Sequence, residues 1–359
     1  MPGAGPEHLD RRAGSVMIWG MGRLPRVITI SVLVATSFLP AACGSGVREP
    51  SPSRRAADQV TWVTGFGAFG REAYVYVAQE KGFFQEAGLE VAVQPGQGSG
   101  ENLAAVLGGR AQFAAVDFTA TLISAAGGKA EGAVAVAALH QRTLAALMAL
   151  DGSGISAPKD LEGKTVADAA SSVISMMFPS YARLAGVDAS KVKWVSLEPA
   201  QLAANLASGQ VDAIGQYVVG RPTVSNAAKG KEVTVLPFGD VITDLYGSAV
   251  TTSTKVAAGQ PDLVRRFTGA LLKGLAYAVD HPQEAAKILV AKQPTQNAEV
   301  AAAELTLMAG YVRPDGGAPM GTMSRERVER AITALSTAGA LEEELTPDSV
   351  VSFDLVPKG

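Results

Sequence analysis

The chain has one cysteine, Cys43, and three histidines, His8, His140 and His281, in 359 residues. A single cysteine excludes an internal disulfide, so the core alone must hold the fold. The histidine spacing fits no metal-ligand motif, and no metal or other cofactor is expected. Charge is sparse, at 18% of residues with a net of −3, and the basic footprint of a nucleic-acid binder is missing. The longest apolar stretch, residues 27–43, falls short of the roughly 18 or more residues that a membrane-spanning helix needs.

That stretch, VITISVLVATSFLPAAC, follows Arg23 and Arg26 and precedes the polar GSGVREPSPSRRAADQ. A basic start, a short apolar core and small residues at the end describe an export signal. With Cys43 at the break it resembles a bacterial lipoprotein signal. The resemblance implies acylation of Cys43, removal of residues 1–42 and a lipid anchor on the extracytoplasmic face of the cell membrane. Leu39 and Pro40 depart from the usual pattern, which places leucine three residues before the cysteine. Glu7 and Asp10 burden the first twenty residues, whereas Met21 opens a cleaner signal, MGRLPRVITI. Residues 43–59 are rich in Gly, Pro and Ser and read as a tether. The remainder is long enough for two domains.

From residue 60 onward, strand and helix patterns alternate. VTWVT (60–64) is a β-branched strand, 70–81 a helix stopped by Gly82, and LEVAVQP an alternating strand. The glycine-rich GQGSG (96–100) leads into the helix ENLAAVLGG, the apolar strand AQFAAVDF and a helix near Leu122. Two apolar runs, 134–140 and 143–150, suit sheet interiors. A second block repeats the scheme with strands in 156–170, 192–197 and 211–217 and helices at 172–184 and 199–209. A strand at 246–252 precedes helices at 261–281, 282–292, 297–311 and 325–337. This alternation predicts an α/β fold with mainly parallel sheets in two lobes. The lobes are expected to span 60–141 with 246–359, and 142–245.

An internal echo supports two similar lobes. At a spacing of 99, Leu103, Ala104 and Ala105 match Leu202, Ala203 and Ala204, and Leu107 matches Leu206. Ser99 then falls opposite Glu198, and Asp117 and Phe118 opposite Gln216 and Tyr217. Ligands of parallel sheets sit outside the carboxyl ends of the strands, so these residues should face a shared crevice.

The segments EKGFFQEAGLEV (80–91), the glycine turn with Asn102, DLEGKTV (160–166), LASGQVDA (206–213) and the Tyr246–Gly247 strand resemble periplasmic binding proteins. The resemblance lies in the branch shared by sulfonate-binding and thiamine-pyrimidine proteins. It implies a hinged two-lobe fold that closes on a small ligand and delivers it to an ABC permease and its ATPase. A monomer is expected. The branch also includes an enzyme that builds the thiamine pyrimidine, with a Trp-Thr-Pro-Asn segment, a nearby functional histidine and a cysteine-rich motif. In GFGAFGREAYVYVA (65–78), Phe66 takes the tryptophan place and Glu72 the histidine place, and the cysteines are missing. These departures argue against synthase chemistry, and no catalytic role is expected.

Each candidate residue has a structural alternative. Gln97, Ser99 and Gly100 open a helix whose N–H groups suit an anion or carbonyl, and Ser99 could instead cap it. Ser171 and Ser172 offer the same geometry from the other lobe. Asp117 and Glu198 either cap helices or accept from a ligand amine. Phe66, Phe118, Tyr217 and Tyr246 either stack on a flat ring or pack in the core. Thr64 and Gln216, at strand ends, are hydrogen-bonding candidates. Trp62 reads as core, and His140 as a hinge or satisfied core residue. The expected ligand is a thiamine-type pyrimidine or related heterocycle. A sulfonate, taurine or nitrate is the alternative and requires Arg71, Arg142 or Arg221 in the crevice.

Overall fold

The computed structural model describes residues 56–358; the export signal, Cys43 and most of the tether lie outside them. In chain order the strands are β1 Asp58–Val63, β2 Phe66–Gly67, β3 Leu89–Gln94, β4 Gly96–Gln97, β5 Phe113–Asp117, β6 Ala133–Ala138, β7 Ala145–Leu150, β8 Thr165–Asp168, β9 Lys193–Ser196, β10 Ala213–Tyr217, β11 Val233–Pro237 and β12 Ser248–Ser253. They form two five-stranded sheets, ordered β3-β1-β5-β12-β6 and β11-β7-β10-β8-β9, and a small β2–β4 ribbon.

The two sheets have one topology. In each, the first strand lies between the second and third, and a strand arriving from the other half separates the third from the fourth. That inserted strand is β12 in the first sheet and β7 in the second. It runs against its neighbours, while β1 pairs in parallel with β3 and β5, and β8 with β9 and β10. Four of the five strands in each sheet therefore run the same way, as expected, and only the inserted strand opposes them. The chain reaches each inserted strand from the opposite lobe and must lay it down in the return direction. The crossings are residues 139–144 and 238–247.

The echo is structural, but its spacing is 100. The strands at 113–117 and 213–217 are the central strands of their sheets. Gly109 and Gly209 take the same left-handed turn, with φ of 70° and 73°. Gln112 accepts the Thr61 N–H at 2.7 Å, and Asp212 accepts the Thr165 N–H at 2.8 Å in the equivalent place. Asp117 therefore corresponds to Tyr217, one residue beyond the pairing that the matching alanines suggested.

The first sheet is buried under helices. Helix Pro261–Asp280 lies against helix Ala73–Glu80. Phe267 stacks on Phe113 at 4.2 Å and lies 5.5 Å from Trp62, which is fully buried as expected. Burying such a side chain stabilises by roughly 1.5–3 kcal/mol. The edge strand β9 is exposed along its length and carries Lys193, a charge that discourages further pairing. No helix among the described residues is long and apolar enough to cross a membrane.

Candidate functional site

The carboxyl ends of β1, β5, β8 and β10 converge where the two halves meet. A closed cleft there is lined by Gly65, Phe66, Gly98, Ser99, Ser172, Val173, Ile174, Gln216 and Tyr217. Its free space is about 10 Å³, the room of a single water. The halves touch directly: the Gly100 N–H donates to the Ser171 carbonyl at 2.9 Å. Phe66, on the β2–β4 ribbon of the first half, packs with Ala167, Leu202 and Leu206 of the second.

Buried charge is concentrated around this cleft. Among the described residues the buried Asp, Glu, Lys and Arg side chains are Arg71, Glu72, Asp117, Asp168 and Glu304. Each lies one contact from a cleft residue or from Arg71. The Arg71 guanidinium lies 5.4 Å from the Tyr217 ring and 4.5 Å from Phe69. Its three side-chain nitrogens have no hydrogen-bond partner, although Glu304 Oε1 is 3.6 Å from Nη1. Burial raises the Glu72 carboxyl above its usual range, against Arg71, the Tyr74 hydroxyl that donates to it at 3.0 Å, and the Gly65 and Phe66 N–H groups.

Asp117 ends β5 and caps the next helix. Its Oδ1 accepts the Thr119 N–H at 2.9 Å, its backbone N–H donates to Ser99 Oγ at 3.2 Å, and its Oδ2 has no partner. Burial pushes its pKa up to about 7. Asp168 ends β8 and is likewise raised to about 7 by burial, although the Ser172 hydroxyl donates to Oδ2 and the Ala169 N–H donates to Oδ1 at 2.8 Å. Gly215, opposite it on β10, has no room for a side chain, because a Cβ would lie 2.4 Å from the Asp168 carboxyl carbon. The Tyr217 hydroxyl lies 3.4 Å from Ser248 Oγ, and burial followed by the Asp117 charge raises its pKa. Ser248 pairs in register with Asp117, and the His140 N–H donates to the Ser248 carbonyl at 3.0 Å. His140 is buried with both ring nitrogens unpartnered, and burial, with Arg71 nearby, pushes its pKa down to about 3. It is therefore neither satisfied nor charged at neutral pH. Buried polar groups are normally paired. Here Asp117 Oδ2 and the Arg71 guanidinium are open beside Tyr217, and the His140 ring is open within reach of the Arg71 charge.

Of the residues singled out by sequence, Phe66, Ser99, Ser172, Gln216 and Tyr217 line the cleft, with Asp117 just beneath and Gly100 and Ser171 closing its rim. Ser99 does not cap its helix, whose N-cap is Gly98; Ser172 does cap, accepting the Ile174 N–H at 3.0 Å. Other candidates are placed differently. Glu198 is exposed and lines no part of the cleft, because the 100-residue repeat moves the match of Ser99 past it. Gln97 is exposed on its two-residue strand. Thr64 is fully buried and spent on the loop, donating to the Gly67 carbonyl at 2.5 Å and accepting the Gly96 N–H at 3.0 Å. Phe118 packs edge-on against Tyr246 at 5.9 Å. Tyr246 belongs to the hinge wall, where its hydroxyl accepts the Ser324 N–H at 3.1 Å and Arg327 covers its ring at 4.1 Å. Arg142 lies in a separate hinge hollow of about 770 Å³ and donates to the Gly310 carbonyl, and Arg221 is exposed and paired with Glu232. Arg71 alone of the three arginines reaches the site. Asp168, Tyr74, Ser248 and Glu304 join the surroundings of the cleft through tertiary contacts. Asp168 ends an apolar strand just as Asp117 does, a signal that was legible; Glu304 sits mid-helix with no local mark.

Comparison with known proteins gives a family and a fold. A family model described as NMT1/THI5 like matches residues 71–285. The chain is similar to the riboflavin-binding protein RibY of Chloroflexus aurantiacus, at 27% identity over 72% of this chain and 76% of that protein. It is also similar to a formylaminopyrimidine-binding protein of Halalkalibacterium halodurans, at 25% identity over 90% of this chain and 97% of that one. Among solved structures, the alkanesulfonate-binding protein SsuA from Xanthomonas axonopodis pv. citri, bound to MOPS, shares the fold with a TM-score of 0.63, at 17% identity over 84% of this chain and 98% of that one.

Proposed function

The chain belongs to the NMT1/THI5-like family, and we propose that it is the lipid-anchored, extracytoplasmic substrate-binding protein of an ABC importer for a thiamine-type pyrimidine or related heterocycle. The observation that carries the ligand class is the unpartnered Oδ2 of buried Asp117. A buried acceptor of this kind favours a ligand that brings an amino donor. Four buried carboxylates, Glu72, Asp117, Asp168 and Glu304, against one guanidinium disfavour an anion. Neutral His140 and Arg71 supply donors for a ring nitrogen or formyl oxygen, and Phe66 and Tyr217 supply flat faces. The similarity to a formylaminopyrimidine-binding protein along nearly its whole length supports the same class.

In this reading the chain is a monomer and not an enzyme, with lobes 60–141 plus 246–359 and 142–245 that part to admit ligand and close on it. Ligand pockets are typically about 300–1,000 Å³, so the closed cleft must widen first. Cys43 carries the lipid, residues 43–59 form the tether, and permease and ATPase are the partners. Calorimetric titration with formylaminopyrimidine tests the ligand, and no heat at millimolar concentration refutes it. Cys43→Ser should release the protein from the membrane fraction of its host. The open guanidinium of Arg71 supports a second reading, a sulfonate, taurine or nitrate ligand; saturable heat with taurine alone would select it.

A further inference from the structure

Glu304 lies outside the cleft lining, yet it touches both halves. It sits on helix Ala298–Val312, which packs against the Gly70–Glu72 turn on one side and helix Arg221–Ala227 on the other. Its side chain is completely buried. Oε2 accepts the backbone N–H of Arg71 at 3.0 Å, and Oε1 lies 3.6 Å from Arg71 Nη1. The same Oε1 accepts the hydroxyl of Thr223, from the second half, at 2.5 Å. Gly70 makes this approach possible, since a Cβ there would lie 2.4 Å from the Ala301 backbone, one helical turn before Glu304.

We propose that Glu304 is a positioning residue and inter-lobe latch, holding Arg71 at the cleft floor while its bond to Thr223 favours the closed state. A carboxylate acceptor out of water makes a strong hydrogen bond. Parting the lobes removes the Thr223 donor and leaves Glu304 with Arg71 only. Closure and the position of the guanidinium are thereby coupled through one side chain. The bond is made in the closed form and lost in the open one, so it shifts that equilibrium directly. The ligand arm of the test rests on the function proposed above; the conformational arm does not.

The test uses Thr223→Val, which keeps the side-chain shape and removes the hydroxyl, with Thr223→Ser as the variant that restores it. Small-angle scattering without ligand should show a larger radius of gyration for Thr223→Val than for the wild type, and the wild-type value for Thr223→Ser. With formylaminopyrimidine, Thr223→Val should bind roughly tenfold more weakly, reaching the same radius once saturated. Wild-type radius and affinity in Thr223→Val would overturn the latch. If the wild type binds no formylaminopyrimidine, the ligand reading fails, and the ligand-free radii still decide the latch.

Discussion

At Asp117 one carboxylate oxygen is committed to the Thr119 N–H while the other, equally buried, makes no hydrogen bond. Burial moves its pKa from 3.8 to about 7. The folded state therefore holds a proton that the unfolded state has released across that interval. Stability contributed by this residue falls as pH rises from about 4 to 7 and stays low above it. Asp117→Asn keeps the oxygen that caps the helix and removes the titration. The variant should lose less thermal stability than the wild type between pH 5 and pH 8, as read by melting temperature. At pH 8, where the wild-type carboxyl is ionised, it should also weaken formylaminopyrimidine binding by roughly ten- to a hundredfold, the cost of one hydrogen bond to a charged acceptor. His140 runs the other way: its lowered pKa makes the folded state poorer in protons between about 3 and 6.5, so its contribution is lost as pH falls through that window. Neither property is legible in the local sequence. VDFT and ALHQ show a strand end beside a polar group, but the burial that moves both pKa values, and the Arg71 charge that adds to it at His140, come from tertiary packing.

At the scale of elements, the chain marks its own turns well. Gly82 stops the first long helix, Pro261 and Pro282 open two later ones, and Ser172 caps helix Val173–Leu184 as its sequence signals. Strand β11 is poorly marked in the sequence, since VTVLP is short and closes on a proline. Its pairing with β7 supplies what its own pattern lacks. The contact that seats helix Ala298–Val312 depends on the missing side chain at Gly70. Gly70→Ala should cost about 1–3 kcal/mol, the usual penalty of overpacking, measured by urea unfolding. An unchanged midpoint would show that this helix can shift freely, which would also weaken the role assigned to Glu304.

For the whole molecule, the decisive feature is that two copies of one topology meet at their carboxyl ends. The Gly100–Ser171 bond crosses that meeting and exists only while the halves are together. The amide of Gly100 should therefore exchange with solvent faster than those of the central strand β5, and ligand should slow it selectively. Hydrogen exchange read by mass spectrometry checks this; equal protection of both segments without ligand would mean that the cleft does not open. Period and punctuation in the sequence alone determined the alternation of strands and helices, the α/β class and the residues at the strand ends, because these depend on neighbours a few positions apart. Tertiary structure decided the rest: the one reversed strand in each sheet, the spacing of 100, the exclusion of Glu198 and Tyr246 from the cleft and the burial of Asp168 and Glu304 close to it. Those outcomes follow from which strand enters a sheet from the opposite lobe and which side chains lose water there, and both are set by contacts between residues distant in sequence.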